Sequence, residues 1–486
     1  MDRSEYISAI APDIGRILRF MGVVTCLPLI VALIYREWEM LLPMGLVPII
    51  YVVLGSLLMQ VPRPAREAKL SAALAAVALI WLISAAIGSV PFIVGLGMPI
   101  TDSIFEAMSG WTDTGMTLLP DIDATPKTIL FWRTFMQWLG GIGIVAFTIA
   151  LASRSGLVQR GLYRSEARTE AFMPSVVATG FAMWRIYIII TLLSIGLVLL
   201  SGVTLWDATN LAMTAIATGG FTVHSEGIPF YQNANLEFLL IPVMIAGAMP
   251  FKLYYLMYHN RKFGFFGDRQ AIALLALTGV GFLVVALDLV YLTGAETMDA
   301  VRQGLFMATA AITSTGFQNT SPYTWPSVTV LFLVIFMLIG GSSGSTAGGM
   351  KISRVIIGLE SLAWWFKRIF VSGKVVVPFR HGGKTVQKNI AEVEVSKNML
   401  IIILYFLTVF ICTIAVFHLE HGAPFESSNV IFEIVSAFCN NGISTGFVTP
   451  DMSLGSKWLF IFLMWFGRLE LVPILVLFVG LVKGFE

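Results

Sequence analysis

Apolar residues fall along this chain in ten long blocks separated by polar connections. The blocks cover residues 14–34, 40–59, 71–95, 128–152, 183–205, 236–258, 270–293, 327–361, 398–419 and 457–481. About 20 helical residues cross the apolar core of a bilayer, so each block is long enough to span. The eighth is interrupted by LIGGSSGSTAGGM, residues 338–350. There Gly340, Gly341, Gly344, Gly348 and Gly349 are interleaved with Ser342, Ser343, Ser345 and Thr346. Glycine is a poor helix former. Non-helical backbone survives at membrane depth only where protein buries it or it lines a water-filled path. The pattern predicts an all-α polytopic membrane protein in which this one span is broken.

Four connections carry a second, shorter apolar run that ends in small polar residues. They read TDSIFEAMSGWTDTGMT, LWDATNLAMTAIATGGFT, MDAVRQGLFMATAAITSTGFQ and SSNVIFEIVSAFCNNGISTGF. Each run is too short to span. Each predicts about three helical turns, a turn with a key glycine (Gly115, Gly220, Gly316, Gly442), and a return. Such self-similarity points to a duplicated unit of span, re-entrant half-helix, loop and span. The expected organisation is an N-terminal two-helix hairpin over 1–62, then repeats over 63–160, 161–262, 263–380 and 381–486. The third repeat holds the glycine-rich loop. Four such units around a pseudo-fourfold axis would line a pore with carbonyl oxygens, which can replace an ion's water shell. Half-helices would turn their negative C-terminal ends toward a cation there.

Composition agrees with a membrane protein: 57% of residues are hydrophobic and only 12% charged, with a mean hydropathy of +0.83. The net charge is only +2, but its placement is lopsided. Twenty of the 31 Lys and Arg lie in 60–69, 153–185, 259–269 and 351–397, which predicts that those loops and both termini are cytoplasmic. The opposite loops carry Asp102, Glu106, Asp121, Asp123, Glu226 and Glu433. Acids there either concentrate cations at an outer mouth or are simply tolerated outside. The flank MDRSEYISAIAPDIGRILRF is acidic as well as basic and no small-residue cleavage site follows, which argues against a cleaved signal peptide. Cys26, Cys412 and Cys439 form no CxxC or Cys/His cluster, so neither a disulfide framework nor a resident metal is suggested.

Together the four loops, WRTFMQWLGGIGIVAF (132–147), GGSSGSTAGGMKISR (340–354) and FGRLELVPILVLF (466–478) resemble the Trk/Ktr/HKT superfamily of potassium transporters over about residues 71–484. The two spans before residue 60 resemble the additional hairpin of that superfamily's TrkH branch. The resemblance implies a homodimeric K+ uptake subunit in the bacterial cytoplasmic membrane, gated by a cytoplasmic nucleotide-binding TrkA-type partner. It implies K+ as cargo, contact with membrane lipid, no cofactor in this chain and no nucleic acid. Filter residues carried over are Thr112, Asp113, Thr114 and Gly115 in the first loop, and Ala217, Thr218, Gly219 and Gly220 in the second. The third gives Thr313, Ser314, Thr315 and Gly316, and the fourth Cys439, Asn440, Asn441 and Gly442, where the register is least regular. K+ would be held at these residues, mostly by main-chain oxygens. In this superfamily a serine at the first key position goes with sodium permeation, so four glycines favour K+. Asp113 departs from the usual small hydroxyl residue. Its carboxylate either turns behind the loop onto backbone amides or attracts cations directly.

Arg468 sits inside the last block, far from either end, where an unpaired arginine costs at least ~3 kcal/mol. A pore-facing role is expected, and the resemblance places it below the filter beside residues 340–349, which would form a gate. Glu470, two residues on, points to another face. Lys252, after Pro250, reads as a snorkelling residue, and Arg133, near a span end, needs no special role. Basic residues in 351–397 suit an acidic partner, lipid headgroups or a solvated loop. The stretch 340–351 fails as a P-loop, since Met350 separates Gly349 from Lys351 and no Ser or Thr follows the lysine. No nucleophile, base and orienter converge, so no enzyme activity is expected. The alternatives are a Na+-permeable or Na+-coupled relative, or a secondary carrier for a small solute built on inverted repeats.

Overall fold

A computed structural model describes residues 3–62, 70–143, 176–260, 264–371, 377–382, 384–422, 425–469 and 472–483. It is helical almost throughout. Two helices, α1 (Arg3–Val24) and α2 (Leu27–Tyr35), lead by a short turn into α3 (Leu41–Met59). The hairpin closes where Gly15 faces Gly55. A Cβ on either would stand 2.6 Å from the other's carbonyl oxygen, so only hydrogen allows this approach. Small residues at a crossing are the usual means of packing helices in lipid.

The remainder comprises α4 (Leu70–Gly88), α5 (Val90–Leu96), α6 (Ile100–Trp111), α7 (Lys127–Ile142), α8 (Val176–Leu199), α9 (Leu205–Ala217), α10 (Ala234–Ala248) and α11 (Phe251–Asn260). Next come α12 (Arg269–Thr293), α13 (Thr297–Ile312), α14 (Ser327–Ile339), α15 (Ile352–Ile369), α16 (Lys388–Leu419), α17 (Ser427–Phe438), α18 (Leu454–Arg468) and α19 (Val472–Lys483). One antiparallel hairpin, β1 (Phe379–His381) with β2 (Lys384–Val386), pairs Arg380 with Thr385.

Burial sorts these helices into two kinds. In α12 and α16 a single stripe is buried, for example Ile401, Tyr405, Cys412 and Val416, while Leu400, Ile403, Phe406 and Phe410 are exposed. A helix apolar all round with one packed stripe is a span facing lipid. Six stretches among the described residues are long and apolar enough to cross: 10–35, 38–59, 74–96, 178–199, 269–293 and 388–419. By contrast α6, α9, α13 and α17, of 12, 13, 16 and 12 residues, are buried on nearly every face. At 1.5 Å per residue they are half-spans. Asp102, Asp207 and Asp299 stand in the first turns of three of them, where the helix dipole favours negative charge.

The blocks at 236–258 and 457–481 are not continuous spans. After Ala248 the chain turns through 91° into α11. Pro250 has no N–H to continue the ladder, and it drives Met249 to extended geometry (φ −79°, ψ 149°). A bend of 114° separates Leu454–Arg468 from Pro473–Gly480. The helix at 128–152 stops at Ile142, with Gly143 at φ 46°; 144–152 lie outside the described residues, as do most of the basic loops 60–69 and 153–185, and Glu470. The helix following each half-helix ends at a matching place, at Gly143, Met249, Gly340 and Leu469. The break in 327–361 is therefore not alone among the described residues, since 236–258 and 457–481 are bent as well.

Candidate functional site

The four half-helices end in one repeated motif. The amide at the third position of each loop reaches back five residues: Thr114 to Ser109 O, Gly219 to Thr214 O, Thr315 to Ala310 O and Asn441 to Ser436 O, at 2.8–3.0 Å. The amide before it, of Asp113, Thr218, Ser314 or Asn440, bonds the carbonyl three residues back. This pair of bonds is the Schellman ending, which needs a left-handed residue at the turn. All four residues are left-handed, with φ of 56°, 60°, 56° and 50°. Glycine usually fills that place, yet here the glycines stand two residues later. Gly115, Gly220, Gly316 and Gly442 have φ of 90°, 76°, 83° and 88°. The shared conformation puts all sixteen expected filter residues in one register, the fourth loop included.

The four loops close a cycle. A Cβ on Gly115 would collide with the carbonyl oxygen of Gly219, one on Gly220 with that of Thr315, one on Gly316 with that of Asn441, and one on Gly442 with that of Thr114. Each loop's third carbonyl therefore rests on the preceding loop's glycine, and the first loop's rests on the glycine of the fourth. All four glycines line a cavity of about 210 Å³, with Thr117, Thr222, Gln318 and Ser444 on its walls.

Buried side chains hold the ring from behind. Gln137 donates to Gly219 O and accepts from Phe221 N. Gln318 bonds both the amide and the carbonyl of Ser444. Asn440 donates to Thr114 Oγ1 and Met464 O, and Asn441 to Ala310 O and Ala311 O. Glu106, on the first half-helix, accepts from Thr117 Oγ1 and Leu118 N, while Glu433, on the fourth, accepts from Ser444 Oγ, Thr445 N and Thr445 Oγ1. Arg133 corrects the expectation drawn from its position. It is 1% exposed, pairs with Glu106 at 2.7 Å, donates to Thr222 O, and lies over the Phe221 ring. Lys457 and Asp102 form a second buried pair at 2.7 Å, joining α18 to α6. These partners are far apart in sequence, so no local pattern announces them.

At the opposite end of the ring lies the 340–349 loop. Its amides serve helix ends left open by the breaks: Ser342 N donates to Ala248 O and Thr346 N to Gly247 O, closing the C-terminus of α10. Thr346 Oγ1 donates to Ile216 O and Gly247 O and meets Thr218 Oγ1 at 3.2 Å. Gly349 N donates to Cys439 O, the first position of the fourth loop. Gly340, Gly344 and Gly349 have φ of 69°, 77° and 75°. Gly341 packs on Ala347 and Ala248, and Gly348 lies directly on the Cys439 carbonyl. Ser343 donates its amide to Gln270, and Ser345 Oγ donates to Ser342 O. Beyond the loop, Ser343 and Gly344 border a cavity of about 750 Å³ that also touches Lys252, Gln270, His381 and Glu394. The loop thus lies between the ring and this larger space. Lys351 also departs from its sequence reading as a loop cation: it is buried, at φ 74°, with its ammonium donating to Ala347 O.

Arg468 is 8% exposed and ends α18. Its guanidinium donates to Thr346 O at 3.1 Å and to Gly140 O and Gly141 O at 2.6 and 3.2 Å, capping the open end of α7. It also lies 3.3 Å from Asp113 Oδ2. The Asp113 carboxylate thus faces a cation rather than backbone amides. Among the described residues no group of three or more His, Cys, Asp or Glu could hold a metal. What the arrangement offers a cation is backbone oxygen and helix-end dipole at the ring, with a fixed positive charge at its far side.

The chain matches the TrkH family, described as cation transport protein, over residues 49–483. An uncharacterised cation transporter of Methanocaldococcus jannaschii is 34% identical over 477 residues, covering 98% of this chain and 96% of that protein. The Trk system potassium uptake protein TrkH of Halomonas elongata is 28% identical over 412 residues, 82% of this chain and 83% of its own length. The crystal structure of the potassium transporter TrkH from Vibrio parahaemolyticus matches with a TM-score of 0.84 at 25% identity, covering 98% of each chain.

Proposed function

The chain belongs to the TrkH family of cation transport proteins, and from that premise we propose that it takes up K+ across the cytoplasmic membrane through a pore on the axis of its four loops. The observation that carries this reading is the closed cycle in which each loop's third carbonyl rests on the preceding loop's glycine. Such a ring favours main-chain coordination, because side chains at the first three positions differ between loops while the backbone geometry does not. K+ is the cargo, held at positions 112–115, 217–220, 313–316 and 439–442, and it sheds water onto carbonyl oxygens there. The C-terminal ends of the half-helices add negative potential at the same place.

Below the ring, the 340–349 loop closes the path and Arg468 raises an electrostatic barrier. Opening requires the loop to give up its bonds to Ala248, Gly247 and Cys439. The repeats run over 63–160, 161–262, 263–380 and 381–486 after the hairpin 1–62, with pseudo-fourfold symmetry. Lopsided Lys and Arg support cytoplasmic termini and a cytoplasmic 750 Å³ cavity. Relatives named as Trk system proteins support a bacterial-type cytoplasmic membrane and a TrkA-type partner; that the chain is a homodimer and that the partner binds nucleotide at that face are part of the proposal. The test is flux of Rb+, Na+ and H+ into liposomes holding the purified protein, with and without the regulator. Selective Rb+ entry fits the reading, whereas Na+ entry at equal rate, or none of either ion, overturns it.

A further inference from the structure

The first filter loop differs from the other three in one respect that the ring itself does not explain. Its left-handed position is filled by an acid, Asp113, where the others have Thr218, Ser314 and Asn440. The side chain is 1% exposed and its Oδ2 stands 3.3 Å from an Arg468 nitrogen. Room is made for it by Gly141, where a Cβ would come within 2.9 Å of the same oxygen. The other bonds made by the guanidinium go to neutral carbonyls, of Thr346, Gly140 and Gly141. A buried cation bonded to carbonyls keeps its full charge, and that charge repels any ion in the filter.

We propose that Asp113 is a positioning residue: its carboxylate holds Arg468 against the wall formed by the end of α7 and offsets the charge that Arg468 presents to the ion path. This rests on the pore reading above and adds to it a local counter-charge carried by the filter loop. Asp113, Gly140 and Gly141 all belong to the first repeat, whereas Thr346 belongs to the gate loop. When that loop withdraws, its carbonyl leaves with it, and the first-repeat partners remain to keep the guanidinium at the side. Without the carboxylate, the guanidinium is uncompensated next to the ring and free to swing across the path.

The test is a two-by-two comparison of unitary K+ conductance in planar bilayers, using the full-length protein with Asp113→Asn, Arg468→Gln, and both. Asparagine and serine already occupy the equivalent left-handed position in the fourth and third loops, so D113N and D113S both suit the backbone. Either lowers unitary conductance several-fold when Arg468 is present and leaves it within twofold of the Arg468→Gln value when Arg468 is glutamine. An equal loss in both backgrounds would assign Asp113 to filter geometry and overturn the proposal, as would wild-type conductance in D113N and D113S. Gel filtration and melting temperature select the variant compared, so a misassembled D113N passes the question to D113S. Wild-type protein without K+ conductance sinks the pore reading instead, a result distinct from any of these.

Discussion

Replacing Gly344 by alanine separates the backbone geometry of the intramembrane loop from its packing. No atom lies within 4 Å of a Cβ built there, so the methyl group meets open space. The dihedral φ is +77°, however, a region that costs an L-residue about 1–2 kcal/mol and glycine nothing. The anchoring bond from Phe251 N to Gly344 O, 3.0 Å long, is made by backbone and survives the substitution. The whole effect therefore falls on the seated loop. If opening releases this dihedral, the closed state alone bears the cost, and about 1–2 kcal/mol multiplies the open-to-closed ratio by roughly 5–30. Open probability of single channels in planar bilayers, without a regulator, reads that ratio directly. Asparagine, which tolerates the left-handed region better than alanine, produces a smaller rise. An open probability unchanged in Gly344→Ala, or a rise for asparagine equal to that for alanine, would refute the reasoning.

Three other substitutions probe neighbouring parts. Gly348→Ala sets a Cβ against the Cys439 carbonyl, so the loop cannot seat; open probability rises further than in Gly344→Ala, in single-channel records from protein that still elutes as assembled. Gly115→Ser sets a Cβ on the Gly219 carbonyl and displaces one quarter of the ring; the Na+/K+ permeability ratio measured by liposome flux rises, and an unchanged ratio counts against the filter assignment. Glu106→Gln leaves Arg133 buried beside a neutral partner, a defect worth about 3–5 kcal/mol; the melting temperature in detergent falls, and replacing Arg133 by Met in the same protein restores part of it.

The half-helices were legible because a short apolar run that stops at small polar residues looks different from a span, and it occurs four times. The breaks after α10 and α18 were hidden, because hydropathy records how apolar a segment is and not its direction. Both segments are apolar enough as a whole to pass for single spans, despite Lys252 and Arg468 beside the bends. Pro250 was visible as a helix disturber, and its effect on Met249 is what turns the chain by 91°. The four loop glycines are required for a partly different reason from the one the sequence suggested. The turn's left-handed residue is Asp113, Thr218, Ser314 or Asn440, and the glycine is needed for the neighbour's carbonyl. Arg133 was misjudged because its partner Glu106 stands on another helix, 27 residues away. Asp113 and Arg468, 355 residues apart, carry no signal of pairing until α18 packs beside the first loop.

The cycle of glycines has a consequence for how this protein tolerates change. It resembles an arch of four stones with no keystone, where every stone is held by one neighbour and holds another. Damage at any one of Gly115, Gly220, Gly316 or Gly442 is passed to the next loop's carbonyl, and from that loop onward round the circle. Equivalent substitutions in different repeats should therefore act alike on ion choice even though their side-chain surroundings differ. A drift in one loop is thereby policed by the other three, which would keep all four in register around their common cavity.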